Sequence, residues 1–475
     1  MAITAASGAG LSAKSYKRGV SENQFSISGQ MTPLAPGVSW YYNWGNTPGK
    51  GYQGQVIGFD GFDFIPMTWN ANYDADAIRE YARSHPGCKY ILGFNEPNFK
   101  KQAKMTPQEA AAQWPAVVAL ARELGLKIVA PALNYSPDAP YTQPSKWMDE
   151  FVELVGLDSF DFVAIHNYGG LGVMKQLGTE FHEKYGKPVW VTEFCYWPNE
   201  GSPTSRVEPE VQIASMVESV EWLEKTEWIY RYAWFKPIGN HENTDTQSSP
   251  CFGLLISENG IGEKKLSPQG MVYTYMTDFN PGVWHQEGEE VPASEYIQSS
   301  LISLAPGSRA DAPKPIEISK FNSGAWVDYQ FDVKSDGDYL LRLSVTGHGE
   351  PARFDPVLGL ESVNADGSTQ PLLDRISFPL PGNESDYITQ DLGITLKAGK
   401  QTLRLIDRNP YQPSGIRIST VTLVDKEAGV EEVETPDYGE RRLYSIDGRR
   451  VLSETPDPGI YIETKGGKSR TIFIR

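Results

Sequence analysis

Two hydrophobic rhythms divide the chain. Between Gly37 and about Phe235, short apolar runs alternate with helical stretches. The runs are Val38–Trp44, Phe62–Met67, Tyr90–Phe94, Ile128–Leu133, Phe160–His166, Pro188–Phe194 and Tyr230–Phe235. Each is rich in β-branched and aromatic residues and nearly unbroken in hydrophobicity, as strands buried on both faces are. Helical periodicity fills the intervals at Asp74–His85, Thr106–Gly125, Ser145–Gly156, Met174–Gly186 and Glu208–Lys225. The second of these carries the fullest end signals: Thr106 as N-cap, Pro107 at the first turn, Glu109 at the third position and Gly125 as the stop. Strand–helix alternation predicts a parallel sheet. Seven strands in this length suggest an α/β chain folded as a (β/α)8 TIM-type barrel, with one further strand expected near Gln55–Phe59. A doubly wound open sheet is the alternative, but no GxGxxG turn follows any of the runs.

After about Pro281 the period changes to two. Ala325–Val333, Asp338–Val345, Gln401–Asp407 and Arg417–Val424 alternate apolar and polar residues between turn-forming clusters, the pattern of an antiparallel β-sandwich. The acidic, proline-containing stretch Glu427–Gly439 reads as a linker. It leads to a small all-β segment with Asp447-Gly448 and Gly466-Gly467 turns. The expected domains are therefore 1–280, 281–426 and 427–475.

Composition narrows the classes. A length of 475 residues calls for two or three domains. A net charge of -17 disfavours nucleic-acid binding and favours a neutral polymer over an acidic one. No run of about 18 apolar residues occurs, so no membrane-spanning helix is expected. Met1–Gly19 lacks the apolar core of a signal peptide, which leaves either a cytosolic protein or one whose leader has been removed. The 12 Trp and 24 Tyr fit large cores, and equally fit sugar binding, since pyranose C–H faces pack on aromatic rings. No HExxH, CxxC or Walker loop is present, so no metal, nucleotide or other cofactor is expected.

Two carboxylates carry the candidate chemistry. Glu96 follows the Tyr90–Phe94 run and Glu193 ends the Pro188–Phe194 run. In a barrel of this kind the C-terminal strand ends face the active site, so both acids point into one cleft. Glycoside cleavage needs such a pair: one acid protonates the leaving oxygen, and one carboxylate attacks or activates water. Asn95 beside Glu96 can bond a sugar hydroxyl. His166, Asn167 and Tyr168 end another strand, and Tyr168 can donate to Glu193. Trp234 ends the last strand, either as a floor under the sugar or as barrel core. Trp40, Tyr42, Trp44, Trp69, Asn134 and Trp197 stand at or after strand ends as further candidate substrate contacts, with some of the aromatic rings reserved for the core.

The motifs FNEPN, HNY, VTEF and YAWF resemble the clan of retaining (β/α)8 glycoside hydrolases, in which acid/base and nucleophile follow strands four and seven. Together with SWYYNW, FIPMTW, APALN and YRYAWFKP, they resemble the catalytic domain of glycoside hydrolase family 128 over about Val38–Ile238. The resemblance implies an endo-β-1,3-glucanase acting on laminarin- or curdlan-type glucan, with Glu96 as acid/base and Glu193 as nucleophile. That family is not uniform in cleavage pattern. The alternatives are an inactive glycan-binding barrel, or a clan relative acting on another neutral β-glycan. The second domain resembles carbohydrate-binding modules, where Trp326, Tyr329 and Tyr411 are either sugar contacts or sandwich core. The C-terminal segment resembles the sorting domain of secreted Bacteroidetes proteins and implies export or cell-surface display. Export would permit a disulfide between Cys195 and Cys251, which follow neighbouring strands, while Cys88 lies at the opposite strand end and is expected to stay a thiol. The chain is expected to act as a monomer.

Overall fold

The computed structural model describes residues 11–426 apart from 52–53, 55–56, 199–206, 243–248, 258–263, 348–355 and 410–414, together with the backbone of four strands between 442 and 474. Its first part is an eight-stranded parallel sheet. The strands are β1 (Arg18–Ser21), β2 (Trp40–Tyr42), β3 (Asp63–Phe64), β4 (Tyr90–Leu92), β5 (Lys127–Leu133), β6 (Phe162–Asn167), β7 (Val189–Phe194) and β8 (Ile229–Phe235). They pair in the order β3-β2-β1-β8-β7-β6-β5-β4. The sheet curls until its edges meet at a parallel bridge between Met67 and Leu92. Helices α1 (Ala75–Ser84), α2 (Pro107–Leu124), α3 (Pro144–Val155), α4 (Leu171–Tyr185), α5 (Pro209–Lys225) and α6 (Pro268–Tyr275) follow β3 to β8 in turn. This is a TIM-like α/β arrangement. Helix α2 starts as its sequence dictates, with the Thr106–Glu109 capping box closed in both directions and Gly125 left-handed at φ 65°.

The eighth strand is not at Gln55–Phe59. Ile57–Phe59 is not strand, residues 55–56 lie outside the described ones, and Arg18–Ser21 fills the place between β2 and β8. Arg18 hides this strand from any hydrophobic pattern, because it is fully buried. Its guanidinium pairs with Glu224 at 3.0 Å, donates to the Tyr232 hydroxyl, and donates to the carbonyls of Tyr273, Met276 and Thr277. Every donor group is satisfied, so the charge is tolerated and ties β1 to α5, β8 and the end of α6.

Strand periodicity separates two cores. Trp40, Tyr42, Ile65, Met67, Leu92, Phe162 and Trp190 fill the interior of the curled sheet. Tyr41, Val191, Phe194, Tyr232 and Trp234 pack outward against the helices. Gly19 makes room for this filling, since a Cβ there would lie 2.2 Å from the Trp40 indole.

The second part is all β. It forms one ten-stranded sheet instead of two separate leaves, because the long strand Ile316–Val333 is shared. Ile318 near its start pairs with Ile418, and its second half, Trp326–Val333, pairs with Gly399–Ile406. The result is barrel-like. Tyr329 is buried core, its hydroxyl donating to Ala293 O, and the Arg404 guanidinium lies 3.7 Å over the Trp326 ring. Tyr329 is therefore core, whereas Trp326 is half-buried on the opposite strand face with its ring covered by Arg404. Tyr411 lies outside the described residues.

This domain leans on the barrel. Glu221 of α5 accepts from Ser299 N and Oγ, Glu295 accepts from Leu11 N and pairs with Lys314 at 2.6 Å, and Phe279 packs on Tyr296. At the C-terminus, Arg442–Ser445, Arg450–Val451, Gly459–Lys465 and Lys468–Ile474 form a separate antiparallel sheet. The expected linker 427–439 and the two expected turns lie outside the described residues.

Candidate active site

The C-terminal ends of β1, β2, β3, β4, β6, β7 and β8, with the loops that follow them, build one pocket of about 330 Å3. Its wall carries Glu96 and Glu193, with Trp44, Trp69, Asn95 and Tyr168 from the predicted set. Asn23, Gln102, Phe235 and Lys236 complete it.

Glu96 reaches the pocket through a forced backbone. After β4, Gly93 runs so close to β5 that a Cβ would sit 2.8 Å from Val129 O and 3.0 Å from Pro131 N. This lets Asn95 form a parallel bridge with Ala132, and Glu96 N then donates to Ala132 O. Glu96 itself has φ 42°, a left-handed conformation that costs on the order of 1–3 kcal/mol and collects at functional sites. Trp44, also in the wall, has φ 60°.

Glu193 is held by donors on several sides. Its Oε1 accepts from Tyr42 Oη at 3.0 Å and from Trp44 Nε1 at 2.8 Å, and its Oε2 accepts from Tyr168 Oη. Burial first, then the charge of Glu193, pushes the phenols of Tyr42 and Tyr168 well above the ordinary tyrosine value, so both stay donors. His166, fully buried at the end of β6, spans the two acids: Nδ1 lies 2.9 Å from Glu96 Oε1 and Nε2 lies 3.5 Å from Glu193 Oε1. Asn95 donates to Gln102, while its buried Oδ1 has no protein partner among the described residues.

Other predicted residues lie elsewhere. Trp234 is 1% exposed, faces the helices between Phe194 and Tyr273, and donates its indole N–H to Phe252 O. Strand alternation is the reason: Ala233 and Phe235 point inward, so Phe235 takes the wall position assigned to Trp234. Trp40 sits below the pocket, packed on Tyr42 and Trp190 with its N–H on Lys17 O. Asn134 holds the loop after β4, its carbonyl accepting from Asn98. Trp197 packs edge-on against Tyr168 at 6.1 Å without lining the pocket. Asn167 donates to Gly170 O. Cys88, Cys195 and Cys251 are all thiols, so the expected Cys195–Cys251 bridge is not formed.

Of the residues that sequence reasoning missed, Asn23 follows from the missed strand, while Gln102 and Lys236 lie in loops after β4 and β8. Asn23 lies just past β1, and Lys236 follows β8 beside it. The Lys236 ammonium is 3.7 Å from Glu22, a carboxylate buried at the end of β1 that accepts from Gln24 N and Ile238 N. Burial raises the Glu22 pKa against the lowering by Lys236 and these backbone donors. Among the described residues, no three His, Cys, Asp or Glu side chains converge to hold a metal, and no helix is long and apolar enough to cross a membrane.

The chain is a glycoside hydrolase, and at the C-terminal ends of its curled parallel sheet two acidic side chains contact one imidazole. It belongs to the Glycosyl hydrolase catalytic core family, whose profile matches residues 23–273. Among curated proteins it is 26% identical over 238 residues to alkali-sensitive linkage protein 1 of Schizosaccharomyces pombe, covering 48% of this chain and 39% of that protein's length. Among solved structures, it is similar to a family 128 (subgroup II) endo-β-1,3-glucanase from Pseudomonas viridiflava. Identity there is 33%, coverage 55% of this chain and 98% of that one, and the TM-score 0.45. It is also similar to a family 128 (subgroup I) endo-β-1,3-glucanase from Amycolatopsis mediterranei in complex with laminaritriose, at 26% identity, 55% and 99% coverage and a TM-score of 0.41.

Proposed function

We propose that this chain is a retaining β-1,3-glucanase of glycoside hydrolase family 128, acting within glucan chains. The observation that carries the chemistry is the placement of Glu96 and Glu193 against the two nitrogens of His166 in one pocket. Glu193, aimed by Tyr42, Trp44 and Tyr168, attacks the anomeric carbon as Glu96 gives its proton to the departing glycosidic oxygen. Glu96 then takes a proton from water, which displaces Glu193 with a second inversion. Asn95 Oδ1 receives a sugar hydroxyl, and Trp44, Trp69 and Phe235 offer ring faces to the sugar.

The substrate class rests on the shared motifs from SWYYNW to YRYAWFKP and on the activities named for the Pseudomonas and Amycolatopsis proteins. Export, expected from the C-terminal segment, belongs with this reading, because the polymer lies outside the cell. The test is a substrate panel of laminarin, curdlan, β-1,4-mannan and galactan, run with wild type and Glu193→Gln. Reducing ends should appear from the β-1,3-glucans with wild type alone, and proton NMR should show the β-anomer first. An initial α-anomer would overturn retention. Release from mannan or galactan instead would overturn the substrate.

A further inference from the structure

The all-β domain has a polar groove of about 360 Å3. Its floor is set by strand register on the outward face of three adjacent strands. In one cross-strand row Arg342 stands between Thr422 and Asp391, and in the next Ser344 stands between Thr420 and Thr389. The inward alternates, such as Leu341, Leu343 and Val421, are buried core. A long charged row beside a short hydroxylic one leaves a trough, bordered by Tyr387, Ile388, Arg309 and Glu290.

Threonine and arginine on a solvated sheet face are ordinary, so the pairing of the charges decides what the trough suits. Arg342 binds Asp391 bidentately at 2.8 and 2.9 Å. Arg309 binds Glu290 at 2.5 Å and Asp311 at 2.9 Å, and Thr420 bonds both Arg309 and Glu290 at 3.2 Å. Arg342 is thus matched by one carboxylate and Arg309 by two, and an anionic ligand gains no unmatched cation. A neutral polyol gains both partners at once, because neighbouring hydroxyls can donate to the carboxylate and accept from the guanidinium. Tyr387 is tethered through its hydroxyl to Glu317 at 2.6 Å, and with exposed Ile388 it supplies apolar surface for C–H faces.

We propose that this groove is a second glucan-binding site, which holds the neutral β-glucan chain on which the barrel acts. The choice of glucan rests on the substrate reading above. The test uses the full chain carrying Glu193→Gln, with Arg342→Ala or Thr389→Trp added, and measures depletion from solution by insoluble curdlan, with alginate beads as the anionic control. Thr389→Trp fills the trough without removing an ion pair, and melting temperature reports folding of both variants. Retention on curdlan should fall at least tenfold for both, alginate should retain neither variant nor parent, and the same groove substitutions with Glu193 intact should leave kcat/KM on soluble laminari-oligosaccharides unchanged. Undiminished retention of folded variants, no retention of the parent, or preferential binding to alginate would overturn the groove. Failure of the unmodified enzyme to cleave laminarin would instead overturn the substrate reading, so the two failures are distinguishable.

Discussion

At Glu193 three donors meet one carboxylate, and what each substitution removes differs. Glu193→Ala deletes the group proposed to attack and opens space for a small anion. Added azide should restore turnover and give the inverted glycosyl azide, read by NMR; rescue of Glu96→Ala with that stereochemistry would reverse the two roles. Trp234 and Phe235 separate packing from binding one residue apart. Trp234→Ala leaves a cavity worth about 3–5 kcal/mol, so melting temperature should drop while kcat/KM of the folded fraction holds. Phe235→Ala should do the reverse and lower kcat/KM about tenfold, since burying such a ring against substrate contributes about 1.5–3 kcal/mol. Equal melting temperatures for the two would refute the assignment. Tyr42 and Tyr168 add a pH signature. Their folded pKa values are raised above the unfolded value of 10.0, so the native state keeps protons that the unfolded chain releases. Stability from these groups is complete below pH 10 and should fall as pH rises beyond it. Tyr168→Phe should flatten that decline in a pH series of thermal melts.

Among the elements, the end of β4 shows how a single hydrogen atom places Glu96. Gly93→Ala would drive a methyl group into the backbone of β5, and backbone cannot swing aside as a side-chain tip can. The strands must part, which costs about 1–3 kcal/mol and moves Asn95 and Glu96 together. A shift of about 1 Å can cost about a hundredfold in rate, so kcat should fall far more than melting temperature suggests. A normal kcat in the Gly93→Ala enzyme would show that this approach does not fix the site. The same scale explains what was readable. Helix α2 was legible from its ends because Thr106, Glu109 and Gly125 act through local hydrogen bonds and φ values. Strand β1 was not, because Arg18 is buried by partners more than 200 positions away.

For the molecule as a whole, one continuous buried cluster runs from the helix layer of the barrel into the all-β domain. Calorimetry should therefore show a single cooperative transition for both. Tyr296, fully buried against Phe279 at their junction, is the place to test it. Tyr296→Ala should lower that single transition by about 3–5 kcal/mol. Two separate transitions in the wild type would mean that the domains unfold independently.

By itself the sequence determined the α/β alternation, the change to an all-β second part, and the two glutamates at strand ends. These follow from periodicity, end signals and residue chemistry, all of which act over a few neighbouring positions. Only the tertiary structure decided which side of a strand each end residue faces. One position separates Trp234 in the helix layer from Phe235 in the pocket, because side chains alternate along β8. It likewise decided that Arg18 belongs to a strand, that His166 lies between the two acids, and that Tyr329 packs inward. Each of these depends on partners distant in the chain, whose approach is fixed by packing and burial and leaves no local trace in composition or spacing.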